Sequence, residues 1–139
     1  MALFVKFRAS GENTDFSVLK AAFINDDYFI CKKGAAFIDK YSKEEKTYAE
    51  DVFLYQKEYN DFISEDDALK DFLQYLIAEK GLDKFDCAEC KRMIWISVYP
   101  DGYHTNISFS HETIRLLNSV KTELDIEVKF LDSIVKDMT

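Results

Sequence analysis

The chain has 139 residues, of which 26 are acidic and 18 basic, giving a formal net charge of −8 at pH 7. A domain of this length buries roughly 68% of its unfolded surface, so it can fold around its own core without a metal or a disulfide. Its negative field repels phosphate backbones and anionic lipids, which argues against nucleic acid and membrane as partners.

Composition also indicates how many domains the chain forms and where it acts. Hydrophobic residues make up 47% and aromatic residues 15%, with one proline and four glycines, which predicts a single domain over residues 1–139. The first apolar run is interrupted at Lys6 and Arg8, too early for a signal peptide or a membrane span. Three cysteines, an odd number, favour a reducing compartment. We therefore expect a cytoplasmic protein.

The chain begins with a strand and a short helix. Residues 2–9 alternate apolar and polar side chains, which predicts a strand. Thr14 or Asp15 is then expected to cap a helix that ends at residues 25–27.

Several short strand patterns follow the first helix. Residues 28–31 predict a second strand, and residues 35–38 predict its return strand. Residues 39–49 are strongly charged and predict a loop, whereas residues 52–55 are apolar on both faces and predict a further strand.

The second helix is predicted by an N-cap residue, an apolar stripe and a glycine that ends it. Ser64 is a good N-cap followed by acidic residues, and Gly81 follows the last periodic position. The apolar stripe of this helix consists of Leu69, Phe72, Leu73 and Leu76. It is expected to pack on the sheet.

The last third of the chain predicts a hairpin, a helix and a strand. Residues 93–99 and 103–110 each show strand patterns, and the proline and glycine at 100–102 predict the turn between them. Ser110 is expected to cap the third helix, which would turn Ile114, Leu117 and Val120 toward the core. Residues 125–131 predict the last strand.

Together these elements predict an α+β fold, with a mostly antiparallel sheet of five to six strands and two to three helices packed on it. Known chemical motifs are absent: the sequence has no glycine-rich phosphate loop, nucleophile elbow or calcium-binding loop. This favours a non-enzymatic protein without a cofactor. Sites assembled from distant residues leave no local trace in a sequence, so an enzyme stays an alternative.

Cys87, Cys90, His104 and His111 are the candidate metal ligands of the sequence. Six residues separate the two histidines, a longer gap than the customary one of about three to five between ligands on one helix face. The histidines also belong to different predicted elements. We therefore expect free thiols and surface histidines rather than a metal site.

Negative charge is concentrated between Asp39 and Asp71, where eleven acidic residues face five lysines. Tyrosines are interleaved with these acids, a composition that suits protein recognition, because carboxylates steer a basic partner and rings supply contact area. The predicted partner-binding residues are Glu44, Glu45, Tyr48, Glu50, Asp51, Tyr55, Glu58, Tyr59 and Asp61. The leading hypothesis is an immunity-type inhibitor of a basic, nuclease-like toxin.

Three alternatives stay open. The tyrosines would equally well pack inward with their hydroxyls in water. The protein would otherwise be a small-molecule-binding domain or a hydrolase with a pocket between sheet and helices, near Trp95, Tyr103, His104 and Cys31. An exposed edge strand would also allow two copies to form a homodimer.

The chain also resembles an uncharacterised bacterial family, the domain of unknown function numbered four-two-seven-nine. The resemblance rests on the Lys33-Gly34 turn, the strand at 51–55, and the ending made by residues 107–110, 112–117 and 124–128. It implies an α+β bacterial domain of unassigned activity and brings no catalytic residues with it.

Overall fold

The structure is a computed structural model that describes residues 3–12, 14–39, 42–60, 63–84, 90–98 and 107–128. Its strands are β1 (Leu3–Gly11), β2 (Tyr28–Cys31), β3 (Ala36–Ile38), β4 (Glu45–Thr47), β5 (Asp51–Tyr59), β6 (Lys91–Val98) and β7 (Glu123–Val128). Its helices are α1 (Ser17–Ala22), α2 (Glu65–Ala78) and α3 (His111–Ser119). The predicted α+β class is confirmed.

The large sheet has five strands in the order β2-β5-β1-β6-β7. The N-terminal strand β1 is central and pairs antiparallel with both β5 and β6. β2 pairs antiparallel with β5, whereas β7 pairs parallel with β6. The parallel pair needs a crossover connection, and α3 lies in that connection.

The prediction for residues 35–49 was wrong in two respects. β3 does not return along β2 but pairs with β4 in a separate two-stranded sheet. The segment predicted as a loop therefore contains a strand. Because all three side chains of β4 are exposed, that strand has no buried face and shows no apolar alternation.

The helices cover one face of the large sheet. Leu3, Val5, Phe7 and Ala9 point to this face from β1, and α2 packs its predicted stripe against them. Ser64 caps α2 as expected, since its side chain accepts a hydrogen bond from the backbone N–H of Asp67. None of the helices in the described ranges has the length and apolar character needed to traverse a lipid bilayer.

The return strand predicted at residues 103–110 was also wrong in the part that the structure describes, residues 107–110. Residues 99–106 lie outside the described residues, but both edges of β6 are already paired, one with β1 and the other with β7. Residues 107–110 have no strand structure and lead into α3. Ile107 and Phe109 nevertheless pack against the core, which accounts for the alternation of apolar and polar residues in this segment.

The third helix begins where predicted but is rotated about its axis. Ser110 accepts a hydrogen bond from the backbone N–H of Thr113, which confirms the cap. Ile114, expected to point inward, is 47% exposed, and Thr113 is buried in its place. Thr113 and Leu117 lie on the inward side of α3, and Val120, the C-cap residue after the helix, continues this side at helical spacing.

Candidate functional site: the open face of the sheet

All three helices of the described chain pack on the same side of the large sheet, and we call the other side the open face. Strand pairing places its side chains in rows across β5, β1, β6 and β7. The rows are Leu54, Arg8, Met93 and Glu123; then Gln56, Lys6, Trp95 and Asp125; then Glu58, Phe4, Ser97 and Glu127.

Trp95 occupies the middle of the open face. Its indole Nε1 donates a hydrogen bond of 2.8 Å to Asp125 Oδ2 on the neighbouring strand. The Lys6 Nζ atom lies 5.7 Å from the indole centroid, and the guanidinium carbon of Arg8 lies 5.6 Å from it. These cation–π contacts and the hydrogen bond hold the ring in one orientation.

Tyr48 connects the small sheet to the open face. Its ring packs against Phe37 of β3, with the centroids 4.6 Å apart. A hydrogen bond with the Cys31 thiol and burial raise the pKa of the Tyr48 hydroxyl, and the nearby Arg8 opposes this shift. The small sheet therefore lies against the end of the open face at which Cys31 and Arg8 are located.

A groove of about 480 Å³ lies at this end of the open face. Met93 and Trp95 form part of its wall. The charged residues that line it are Arg8, Lys91, Arg92 and Lys121, together with Glu50 and Glu123. Four cations and two carboxylates give this groove a net positive charge in a chain that is strongly negative as a whole.

The predicted partner-binding residues do not share one surface. Glu44 and Glu45 are exposed on the small sheet, and Glu58 is exposed on the open face. Tyr48 and Glu50 are half-buried, and Glu50 lines the groove. Asp61 lies outside the described residues.

Three members of the predicted set belong to the interior. Asp51 is 7% exposed, and its carboxylate accepts a hydrogen bond of 2.8 Å from the backbone N–H of Lys33. Tyr55 and Tyr59 are each 8% exposed and point toward the helices. Burial raises the pKa of Tyr55 to about 12 and also raises that of Tyr59. These three side chains offer no surface to a partner.

The rest of the acidic segment is divided between the two sides of the sheet. Asp66, Asp67 and Asp71 lie on α2, on the side opposite Glu58. Asp71 pairs with Lys57 at 3.2 Å, which offsets part of its charge. The segment between Asp39 and Asp71 is therefore negative in sequence but does not form one continuous patch in space.

The residues considered for a small-molecule pocket or a metal are only partly described. Trp95 and Cys31 lie on the open face, rather than between sheet and helices. Tyr103, His104 and Cys87 lie outside the described residues. His111 is exposed at the start of α3.

Among the residues that meet on the open face, Trp95 and Glu58 belong to the predicted sites, but Lys6 and Arg8 do not. Lys6, Arg8 and Trp95 come from strands more than eighty residues apart, so no local motif unites them. One signal was visible: Glu123, Asp125 and Glu127 alternate with apolar residues in β7, which indicates a strand with one charged face.

Comparisons with known proteins do not assign the site. No protein-family model matches the chain, and neither a curated protein nor a solved structure does so. The resemblance to the bacterial family described above stays a prediction.

Proposed function

We propose that this protein is a non-enzymatic binding module that docks a basic protein partner against the open face of its sheet. The observation that carries the proposal is a group of three open-face carboxylates, Glu58, Asp125 and Glu127, which we call the acidic border. In the pairing rows these residues flank Phe4 and Trp95. Aromatic side chains framed by charge are typical of protein-binding surfaces.

Charge supports a basic partner. The net charge of −8 attracts cationic proteins over a distance of about one Debye length, which is about 8 Å at physiological salt. Glu44, Glu45 and Glu50 belong to the predicted set and remain accessible or half-accessible, so they add to this field. An immunity-type inhibitor of a basic, nuclease-like toxin is the specific form of partner binding that we favour.

We also propose that the protein acts in the cytoplasm. The chain has three cysteines, an odd number, which suits a reducing compartment better than a framework of paired disulfides. Homodimerisation through an outer strand of the sheet stays a prediction, which light scattering on the isolated protein would test.

The proposal is tested by co-expressing the protein with the product of the neighbouring gene in its native genome and measuring complex formation by size-exclusion chromatography. We expect a complex that weakens steeply between about 50 and about 500 mM salt, since screening removes the steering field. Reversing two border charges, in Glu58→Lys with Glu127→Lys, is expected to weaken the complex at least about tenfold.

The matched control reverses two exposed charges on the helix side, in Asp27→Lys with Glu79→Lys. This variant has the same net charge as the border variant and is expected to lose far less affinity. Equal weakening by both variants would show that only net charge matters. Absence of any complex at low salt would overturn the proposed function.

A further inference from the structure

The groove next to Trp95 has a charge that the proposed function does not explain. Four cationic and two anionic side chains line it, although the whole chain has eight more acidic than basic residues. Binding of a basic protein at the acidic border does not account for a concave site of positive charge elsewhere on the same face. Its volume of about 480 Å³ lies within the range of about 300 to 1,000 Å³ typical of small-molecule sites.

Three of the four cations have no carboxylate partner within the described chain. Arg8, Lys91 and Lys121 make no ion pair there. Elsewhere in the described chain, five lysines pair with a carboxylate; they are Lys33, Lys46, Lys57, Lys70 and Lys80. Cations that converge unpaired on a groove leave a positive potential for a ligand to neutralise.

The groove is also held in shape. The Arg8 guanidinium stacks on Trp95, and its Nε is buried without a hydrogen-bond partner among the described residues. The Arg92 Nη1 atom donates a hydrogen bond of 3.1 Å to the backbone carbonyl of Val120. That contact fixes the turn that carries Lys121, whose φ of 53° is in the left-handed region that favours glycine.

We infer that this groove binds a small organic phosphate. A phosphate monoester carries a charge of about −1.5 to −2 and three acceptor oxygens, enough to engage Arg8, Lys91 and Lys121 together. A single carboxylate would be satisfied by one arginine. The carboxylates of Glu50 and Glu123 accept hydrogen bonds from ligand hydroxyls, and Met93 and Trp95 cover an apolar part of the ligand.

Ligand binding in the groove can be followed by tryptophan fluorescence. Trp95 is the single tryptophan of the chain and lines the groove, so its fluorescence reports occupancy directly. The test titrates the full chain with ribose 5-phosphate, glucose 6-phosphate and adenosine 5′-monophosphate, and in parallel with inorganic phosphate, ribose, glucose and adenosine. We expect a saturable change with at least one phosphomonoester, and weaker binding of inorganic phosphate and of the compounds without phosphate.

The variant Lys121→Gly removes one cation at a backbone conformation that glycine adopts readily, so folding is not at risk. Loss of one charge-assisted contact is expected to raise Kd about tenfold. Lys43→Gly is the matched control, because Lys43 is also exposed and left-handed, with a φ of 60°, and does not line the groove. It is expected to bind like the wild type.

Three results would overturn the inference: no saturable response to any phosphomonoester, equal affinity for the compounds without phosphate, or the same loss of affinity in both glycine variants. Inorganic phosphate binding as tightly as the esters would also overturn it, because the groove would then recognise no organic part. None of these results bears on the complex with a basic protein, which is measured separately.

Discussion

At the scale of single residues, Lys80 and Asp26 link the end of α2 to the turn before β2. The side chains of this ion pair are 9% and 14% exposed. The Lys80 ammonium also lies 5.2 Å from the ring centroid of Phe23 and 5.0 Å from that of Tyr75. Burial opposes ionisation of Asp26, but hydrogen bonds from Lys80 and Tyr75 outweigh it and lower the pKa of Asp26.

Replacing Lys80 should therefore be costly. In Lys80→Met the apolar stem is kept, while the Asp26 carboxylate loses its counter-charge in a shielded site. We expect the free energy of unfolding, measured by urea denaturation, to fall by about 3 kcal/mol. Lys57→Met, which breaks the exposed pair with Asp71, should cost less than about 1 kcal/mol. Equal losses of unfolding free energy in the two variants would show that shielding from solvent does not strengthen the Lys80–Asp26 pair.

At the scale of elements, one carboxylate joins two helices. Asp66 lies in the first turn of α2, and its Oδ1 accepts hydrogen bonds from the backbone N–H and the hydroxyl of Ser110, at 2.9 and 3.3 Å. Ser110 is the N-cap of α3. Hydrogen bonds from Thr113 and Ser110 lower the pKa of Asp66, although burial opposes the shift.

Removing this carboxylate should loosen α3. In Asp66→Ala the Ser110 donors lose their acceptor, and we expect unfolding free energy to fall by about 2 kcal/mol, because hydrogen bonds to charged groups are worth about 1.5 to 3 kcal/mol. Hydrogen exchange should accelerate more in α3 than in β1. Asp67→Ala, in the same turn but exposed, should cost only a few tenths of a kcal/mol, roughly the helix-dipole contribution. Matching losses in both variants would contradict the proposed link.

At the scale of the whole molecule, several native contacts depend on ionised carboxylates. The pKa values of Asp26, Asp66 and Asp71 are all lowered in the folded protein, that of Asp71 chiefly by the hydroxyl of Tyr59. A carboxyl group with a lowered folded pKa stabilises the native state above its unfolded value, which is about 3.9 for aspartate. That stability is lost as the pH falls through the folded pKa.

Acidification should therefore destabilise the fold despite relieving its negative charge. We expect unfolding free energy, measured in urea at pH 6 and at successively lower pH down to about 3, to decline most steeply below about pH 4. Asp26→Asn removes one of the three groups and should show a smaller decline than the wild type. Asp27→Asn, at an exposed neighbouring position, should decline like the wild type. If the unfolding free energy of Asp26→Asn fell more steeply with decreasing pH than that of the wild type, ionised Asp26 would not stabilise the fold as inferred.

Whether a structural feature can be predicted from the sequence depends on how far apart along the chain the interacting residues lie. α2 was located by Ser64, by an apolar stripe and by Gly81, whose φ of 67° suits the left-handed position after a helix. These signals act over three or four residues. Other features depend on distant residues: β6 pairs with β7 across α3, and β3 pairs with β4. The pattern of apolar and polar residues within a strand does not identify the strand it pairs with.

The α+β class, most local elements and the negative charge could be predicted from the sequence, because periodicity, capping and composition are local or additive signals. Which charges share a surface depends on how distant strands and helices pack together. Strand pairing placed Arg8 diagonally across from Trp95 and turned Tyr55 and Tyr59 into the core, while the acidic residues of β5 and α2 came to lie on both sides of the sheet. The physical reason is that side-chain alternation specifies two faces, whereas the packing of distant elements selects the one that is buried.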